Sequence, residues 1–568
     1  MRRTYPIAQF GLIDMTALKD ATVSSNGQGN TGLFNALQPP TSHATFELNQ
    51  FVLDGSKSVL DDIKAVPCWS SDVSDMEGDL AEPCEVVIKF EEQHSSVGLT
   101  LFFDDDWPRE IDIAWYTLWG DLIIKKTYYP DSLKYFCEGN VQCFAKIIIT
   151  IKSTTFPERF TKLRYIVYGE QLVLSNLKSA KVYEELDPIS STLSINTANV
   201  SLVDEKGDFD MTNQNGRWKA IQKEQEVRIQ EYVDGNVVDC GAFYLDKWSN
   251  DKNIVTLDFI DLIGLMDKST FYEGRYYDNE PAGNIITEIM SDCGIAYTIT
   301  EEVASILLSG YLGIQTHRAA LQQVVFACGA VADCSRSDKV KIYQPDRYVS
   351  RYIPMSRKFM NSKITLDEYI TAVSITCSKY SVEQEASEIL DEYLQPGTHR
   401  IEFSDGYDPD SLAAEGCDFL VKKANYCVLK VEEAAQCFVS GKCYKATEHT
   451  IQKKLDVIEP GEMAKTKAYS GCTLLGVERA SLLAERILDY YSNRQLVTIR
   501  YVNNGEGVGN WCQLQGRGGK SSITHITSQD IDLSGGNIAS ATCRGYAVLI
   551  TEEVYTGELF AGEDVGVL

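Results

Sequence analysis

The chain has 568 residues, 44% hydrophobic and 24% charged, the balance of a folded protein long enough for about three to five domains. Its net charge of −28 argues against nucleic-acid binding by phosphate neutralisation and predicts a self-repelling, soluble surface. Sixteen cysteines occur without a CxxC pair, beside six scattered histidines, so a disulfide framework or structural zinc site is not expected. The cysteines read as small buried hydrophobes of a protein made in a reducing cytosol.

In chain order, the opening MRRTYPIAQFGLID lacks the apolar core of a signal peptide. No run of about 18 uncharged apolar residues follows anywhere, so no membrane anchor is expected. Residues 1–44 read as an N-terminal arm, with NGQGNTG (26–32) a flexible glycine-rich loop and Pro39-Pro40 a break. Residues 45–169 read as a sandwich. ATFELNQFVLDGS (44–56) alternates before an Asp54-Gly55 turn. Then CEVVIKF (84–90), VGLTLFFD (97–104), EIDIAWY (110–116), DLIIKKTYY (121–129), KIIITIKS (146–153) and LRYIVYG (163–169) recur with Gly, Asp and Pro between them.

Residues 170–274 remain strand-dominated. STLSINTANVSLVD (191–204) alternates, EVRIQEYVDGNVV (226–238) is a hairpin about Asp234-Gly235, and GAFYLDKW (241–248) and NIVTLDFID (253–261) follow. Residues 275–355 form a small α+β insert. Ile285, Ile286, Ile289 and Met290 lie at helical spacing before Gly294, and Leu321, Val324, Val325 and Cys328 do so between a Thr316 cap and a Gly329 stop. KVKIYQP (339–345) is a strand. Residues 356–555 return to strands, with one long helix over about 475–493 whose face is traced by Val477, Ser481, Ala484, Leu488 and Tyr491. Residues 556–568 are a tail. Segments 246–264 and 524–546 echo one another: an apolar strand, a polar turn with Asn, a second apolar strand.

No GxSxG, HExxH, Walker or GxGxxG motif stands in its required context, so no catalytic residue, cofactor or metal is expected. Asp104, Asp105 and Asp106 lack the ligand ladder of a calcium loop and read as a solvated turn. His94, beside Ser95 and Ser96, lacks an orienting third group and reads as a structural polar turn. Trp107, Trp115 and Trp119 are candidates for carbohydrate contact, since sugar-binding sandwiches stack rings on exposed aromatics; core and rim packing is the plainer account.

EELDPISSTLSINTANVSL, DFDMTNQNGRWKAIQKEQEVRI, DCGAFYLDKW and VTLDFIDLIGLMD (184–267) resemble the first tube domain of phage baseplate hub or tail-tip proteins. Residues 307–345, LLSGYLGIQTHRAALQQVVFACGAVADCSRSDKVKIYQP, resemble that family's helical insert. The late helix and DIDLSGGNIASATCRGY resemble the close of its second tube domain. LDGS (53–56), HSSVGLTLFF (94–103) and YIVYG (165–169) resemble a galactose-binding-like jelly roll found ahead of some such proteins. The resemblance implies a mainly β protein with a small α+β insert, an N-terminal jelly-roll sandwich and two tube-type β-barrel domains. It further implies a homotrimeric, non-enzymatic hub in a virion tail assembled in the bacterial cytoplasm, joining a sixfold tail tube to a threefold spike or fibre. Its implied partners are the tail tube or distal tail protein, the spike or fibre protein and the tape-measure protein, with host-surface carbohydrate a further candidate. DNA passes without specific binding, and an acidic lumen keeps it from adhering. A carbohydrate-binding adhesin and a cell-wall hydrolase are the alternatives. Phe243, Tyr244 and Leu245 are expected to be needed for assembly, since alternate residues of such a strand are core.

Overall fold

The computed structural model describes residues 4–13, 15–35, 43–44, 58–59, 67–104, 106–174, 177–205, 207, 209–213, 218, 221, 223–233, 236–360, 362–458, 462–516 and 520–549. Most of ATFELNQFVLDGS, the Pro39-Pro40 break, the Asp54-Gly55 and Asp234-Gly235 turns, and the tail fall outside them. The protein is mainly β with a small α+β insert. Six α-helices occur among the described residues: α1 (Met15–Asp20), α2 (Leu262–Met266), α3 (Ala282–Asp292), α4 (Glu301–Ala304), α5 (His317–Cys328) and α6 (Val477–Ser492).

A seven-stranded sheet runs in the order Cys68–Trp69, Lys162–Val167, Asp79–Phe103, Lys134–Thr154, Pro108–Tyr116, Leu122–Tyr128, with Thr22–Ser25 also pairing on Asp79–Phe103. The strands expected at 84–90 and 97–104 are one bent strand of 25 residues, broken in register between Lys89 and Gly98. Extra residues at such bulges bend a strand and increase its twist. Gly98 is required there: its φ is +148°, and a Cβ would lie 2.2 Å from the Cys137 carbonyl oxygen. Val86 and Ile88 from one end of this strand share a core with Leu99, Leu101 and Phe103 from the other. The NGQGNTG run is not a free loop. Gln28 and Trp69 exchange backbone hydrogen bonds of 2.8 and 3.0 Å, and the Asn26 side chain accepts from Glu85 N at 2.7 Å and donates to Pro83 O at 3.0 Å.

The second large sheet has 13 strands. Its main path is Gly169–Leu174, Thr4–Ile13, Glu226–Val233, Asn236–Asp251, Ile254–Ile260, Thr197–Val203, Leu177–Glu185, Lys520–Asp532, Ile538–Leu549, Gln495–Val502, Lys363–Leu366. Trp511–Gln515 pairs with Lys520–Asp532 and Val349–Ile353 beside it, and the path does not close among the described residues. The N-terminal segment is thus integrated, with Thr4–Ile13 in this sheet and Thr22–Ser25 in the other. The two echoing segments are both hairpins. They flank the central pair Thr197–Val203 and Leu177–Glu185 from opposite sides.

From strand Ala372–Val382 through strand Thr466–Tyr469 the chain leaves this sheet and forms three small three-stranded sheets, one of which contains both of these strands. A buried Asn425 pins one of them to the insert, donating to Gly274 O at 2.7 Å, Tyr272 O at 3.1 Å and Leu312 O at 3.2 Å while accepting from the Tyr311 hydroxyl. Arg400 stacks between the rings of Tyr272 and Tyr426, 4.1 and 4.2 Å from their centroids.

The helices end where the residue chemistry directs. Thr316 accepts from Ala319 N at 3.2 Å to cap α5, and Gly329 ends it in the left-handed conformation, φ +61°. Asp261, fully buried, caps α2 by accepting from Gly264 N at 2.9 Å. On α6 the buried face is Ala480, Leu483, Ala484, Ile487 and Leu488, rotated from the expected one; Val477 in its first turn is 49% exposed. Helices α2, α3, α5 and α6 share one core with Val373, Ile375 and Cys377. Twelve of the sixteen cysteines are buried, and all sixteen are free thiols.

Candidate functional site

The three tryptophans singled out in the sequence do not form one platform. Ile111, Ile113 and Trp115 alternate along Pro108–Tyr116, so Trp115 faces the core and is fully buried. Trp107 is half-buried and packs against the same core. Trp119, in the turn following that strand, is 79% exposed, next to exposed Leu118 and near exposed Leu122.

His94 has the orienting group that its local sequence does not reveal. Its Nε2 lies 2.8 Å from Asp20 Oδ2, whose carboxylate also accepts from Glu91 N and Glu92 N. Burial raises the Asp20 carboxyl, but these amides and His94 outweigh it and hold it below its ordinary value. The neighbouring serines are turned to other work: Ser96 Oγ donates to Gly98 O at 2.6 Å, and Ser95 Oγ accepts from Cys143 N. The pair therefore clamps α1 onto the seven-stranded sheet. Asp104 is buried and Asp105 lies outside the described residues. Among the described residues, no group of three or more His, Cys, Asp or Glu is placed to hold a metal ion.

A second histidine cluster was missed by sequence reasoning because its members are far apart in the chain. His317 Nδ1 is 2.8 Å from Ser269 Oγ, and its Nε2 is 2.8 Å from Asp292 Oδ2. The residue types are those of a nucleophile triad, but the nitrogens are exchanged relative to the serine-protease arrangement. The ring is 3% exposed and sits at the first turn of α5, so the contacts tie α5 to the end of α3.

A buried polar cluster joins the halves of the 13-stranded sheet to the insert. Arg336 Nε donates to Glu184 Oε1 at 2.9 Å, and Gln529 Nε2 donates to Glu184 Oε2 at 2.6 Å. Arg336 also donates to Glu506 O at 2.8 Å, Tyr501 Oη donates to Gln529 Oε1 at 3.1 Å, and Arg357 pairs with the Glu506 carboxylate. Each carboxylate is engaged by a guanidinium and further donors, the condition under which buried charge is tolerated. The arrangement holds elements in register, and the contacts of Glu184 with Arg336 and Gln529 join residues 152 and 345 apart in sequence. No helix among the described residues is long and apolar enough to cross a membrane.

No family model and no curated protein matches the chain. Among solved structures, a tail protein from Neisseria meningitidis MC58 aligns with 66% of this chain and 93% of its own, at 9% identity and a TM-score of 0.40. The 43 kDa tail protein of prophage MuSo2 from Shewanella oneidensis aligns over 66% and 95%, at 10% identity and 0.39. Prophage tail protein gp18 from Listeria monocytogenes EGD-e aligns over 66% and 91%, at 8% identity and 0.37. The chain is similar to these at a level that assigns it neither a family nor a function.

Proposed function

We propose that the chain is a structural hub subunit of a phage-type tail tip or baseplate. In this reading it is a homotrimer that joins a sixfold tail tube to a threefold spike or fibre around a DNA channel. Residues 45–169 serve as the jelly roll, 170–274 and 356–555 as two tube modules, and 275–355 as the insert between them. The tail tube or distal tail protein, the spike or fibre protein and the tape-measure protein are its neighbours. The observation that carries the reading is a repeated hairpin on each side of a central strand pair, in a sheet whose path ends, among the described residues, at Lys363–Leu366. All four side chains of that edge strand are exposed, with Ile364 at 58% and Leu366 at 73%. An exposed apolar edge is a template for pairing with another chain, and closed symmetry gives each copy's edge a partner.

Light scattering on the size-exclusion peak tests this, with a trimer expected and a threefold ring with a central pore in negative stain. The pair Ile364→Lys and Leu366→Lys is expected to give folded monomers. A native chain that stays monomeric at micromolar concentration sinks the hub reading. A variant that still forms trimers moves the interface elsewhere. Carbohydrate contact through Trp119 is a second reading, favoured by its exposure beside Leu118. Trp119→Ala should then abolish retention on a host polysaccharide column without altering the trimer.

A further inference from the structure

We propose that the cavity between α6, the segment Tyr343–Arg347 and the strand Trp511–Gln515 is a docking site for an acidic peptide of a partner protein, with Arg486 receiving its carboxylate. The cavity has a volume of about 280 Å³ and is walled by Leu483, Ile487, Tyr490, Trp511 and His525. His525 is held between the rings of Trp511 and Tyr490, 4.9 and 5.7 Å from their centroids, which makes this wall stiff.

Arg486 lines the cavity from α6. Among the described residues it has neither a hydrogen bond nor an ion pair, although the chain carries 81 acidic residues. Its cationic neighbours each have a hydrogen-bonding or ion-pair partner. Arg479 donates to Ala327 O and Cys328 O at 3.2 and 3.0 Å, Arg347 pairs with Asp489, and Arg544 pairs with Asp367. Burial, with Arg479 and Arg347 nearby, pulls the Arg486 guanidinium below its ordinary pKa. Of the two carboxylates lining the cavity, Asp489 is taken by Arg347, and Asp346 accepts from Tyr348 N at 3.3 Å. Gly329 preserves the space: a Cβ there would lie 2.4 Å from Arg486 Nη1.

A planar guanidinium lacking an acceptor is matched by a carboxylate, which it binds through two parallel hydrogen bonds. The aromatic and aliphatic walls add room that a bare inorganic anion leaves empty and an apolar residue next to a glutamate fills. The site is argued from the cavity alone and stands or falls independently of the tail assignment.

Calorimetric titration of the full chain with the capped dipeptides acetyl-Glu-Leu-amide and acetyl-Gln-Leu-amide, and with inorganic phosphate, tests it. The Glu peptide is expected to bind saturably and about tenfold more tightly than its neutral isostere, the value of a charge-assisted hydrogen bond. Arg486→Gln should abolish that preference, and Arg486→Lys should keep part of it. Absence of saturable heat up to about 10 mM Glu peptide overturns the proposal. Equal binding of the two peptides also overturns it, as does displacement by phosphate at equal concentration, which would mark a general anion site. The two-peptide comparison on the native chain decides the matter even if a variant does not fold.

Discussion

Asp261 and His525 respond to acid in opposite directions, and both are buried. His525 is pushed down to about 4, chiefly by burial and then by Arg544 and Arg347. As pH falls below the ordinary 6.5, the unfolded chain takes up that proton first, so stability is lost between 6.5 and 4, by at most about 3 kcal/mol. Asp261 is raised to about 6 by burial, against hydrogen bonds from Cys334, Gly264 and Asn196. The folded state therefore binds that proton first, and acidification between 6 and 3.8 adds stability. Urea unfolding at pH 7 and pH 5 should show His525→Gln losing less stability on acidification than the native chain, and Asp261→Asn losing more. An unchanged pH dependence in His525→Gln would remove this residue from the account. At this scale the local signals were readable: Thr316 and Gly329 cap α5 as their chemistry requires, and alternation with Ile111 and Ile113 already places Trp115 in the core. The clusters around His94 and His317 were not readable, because Asp20 lies 74 residues from His94 and Ser269 lies 48 from His317.

Elements here are held from both sides. In Asn236–Asp251, Phe243 and Leu245 enter the core of the 13-stranded sheet, while Tyr244 packs against the core shared by the helices. Leu245→Asp buries an unpaired carboxylate and should prevent folding, read as loss of soluble protein. Tyr244→Asp should loosen the insert from the sheet, read as faster proteolysis near residues 262–345. Glu184→Leu leaves Arg336 buried without its carboxylate, so a loss of about 3–5 kcal/mol is expected in denaturant unfolding. A double change that also replaces Arg336 with Leu should recover much of it, and equal losses in the single and double variants would refute the coupling. Helices and hairpins were legible from their periods. The long strand Asp79–Phe103 was not, because its bulges interrupt alternation where the strand bends. The face of α6 was misjudged because Val477 stands in the first turn, outside the packed stretch.

For the whole molecule, a net charge of −28 opposes association of copies. In the proposed trimer, screening by salt should tighten the assembly, so sedimentation should show less dissociation at 0.5 M than at 0.05 M NaCl, concentrations with Debye lengths of roughly 4 and 14 Å. Opposite salt dependence would mean that the contacts are themselves ion pairs. The mainly β class and the α+β insert could be read from the sequence. The pairing of Leu177–Glu185 with Lys520–Asp532 could not, since neither strand names its partner. That pairing sets a schedule for biosynthesis. Glu184 and its partner Gln529 are 345 residues apart, so at about 5–20 residues per second the ribosome delivers the second strand roughly 20–70 s after the first. Until then the edge of Leu177–Glu185 has no native neighbour on that side. Chains truncated before residue 520 should therefore aggregate, whereas a separately supplied C-terminal fragment should rescue them in trans.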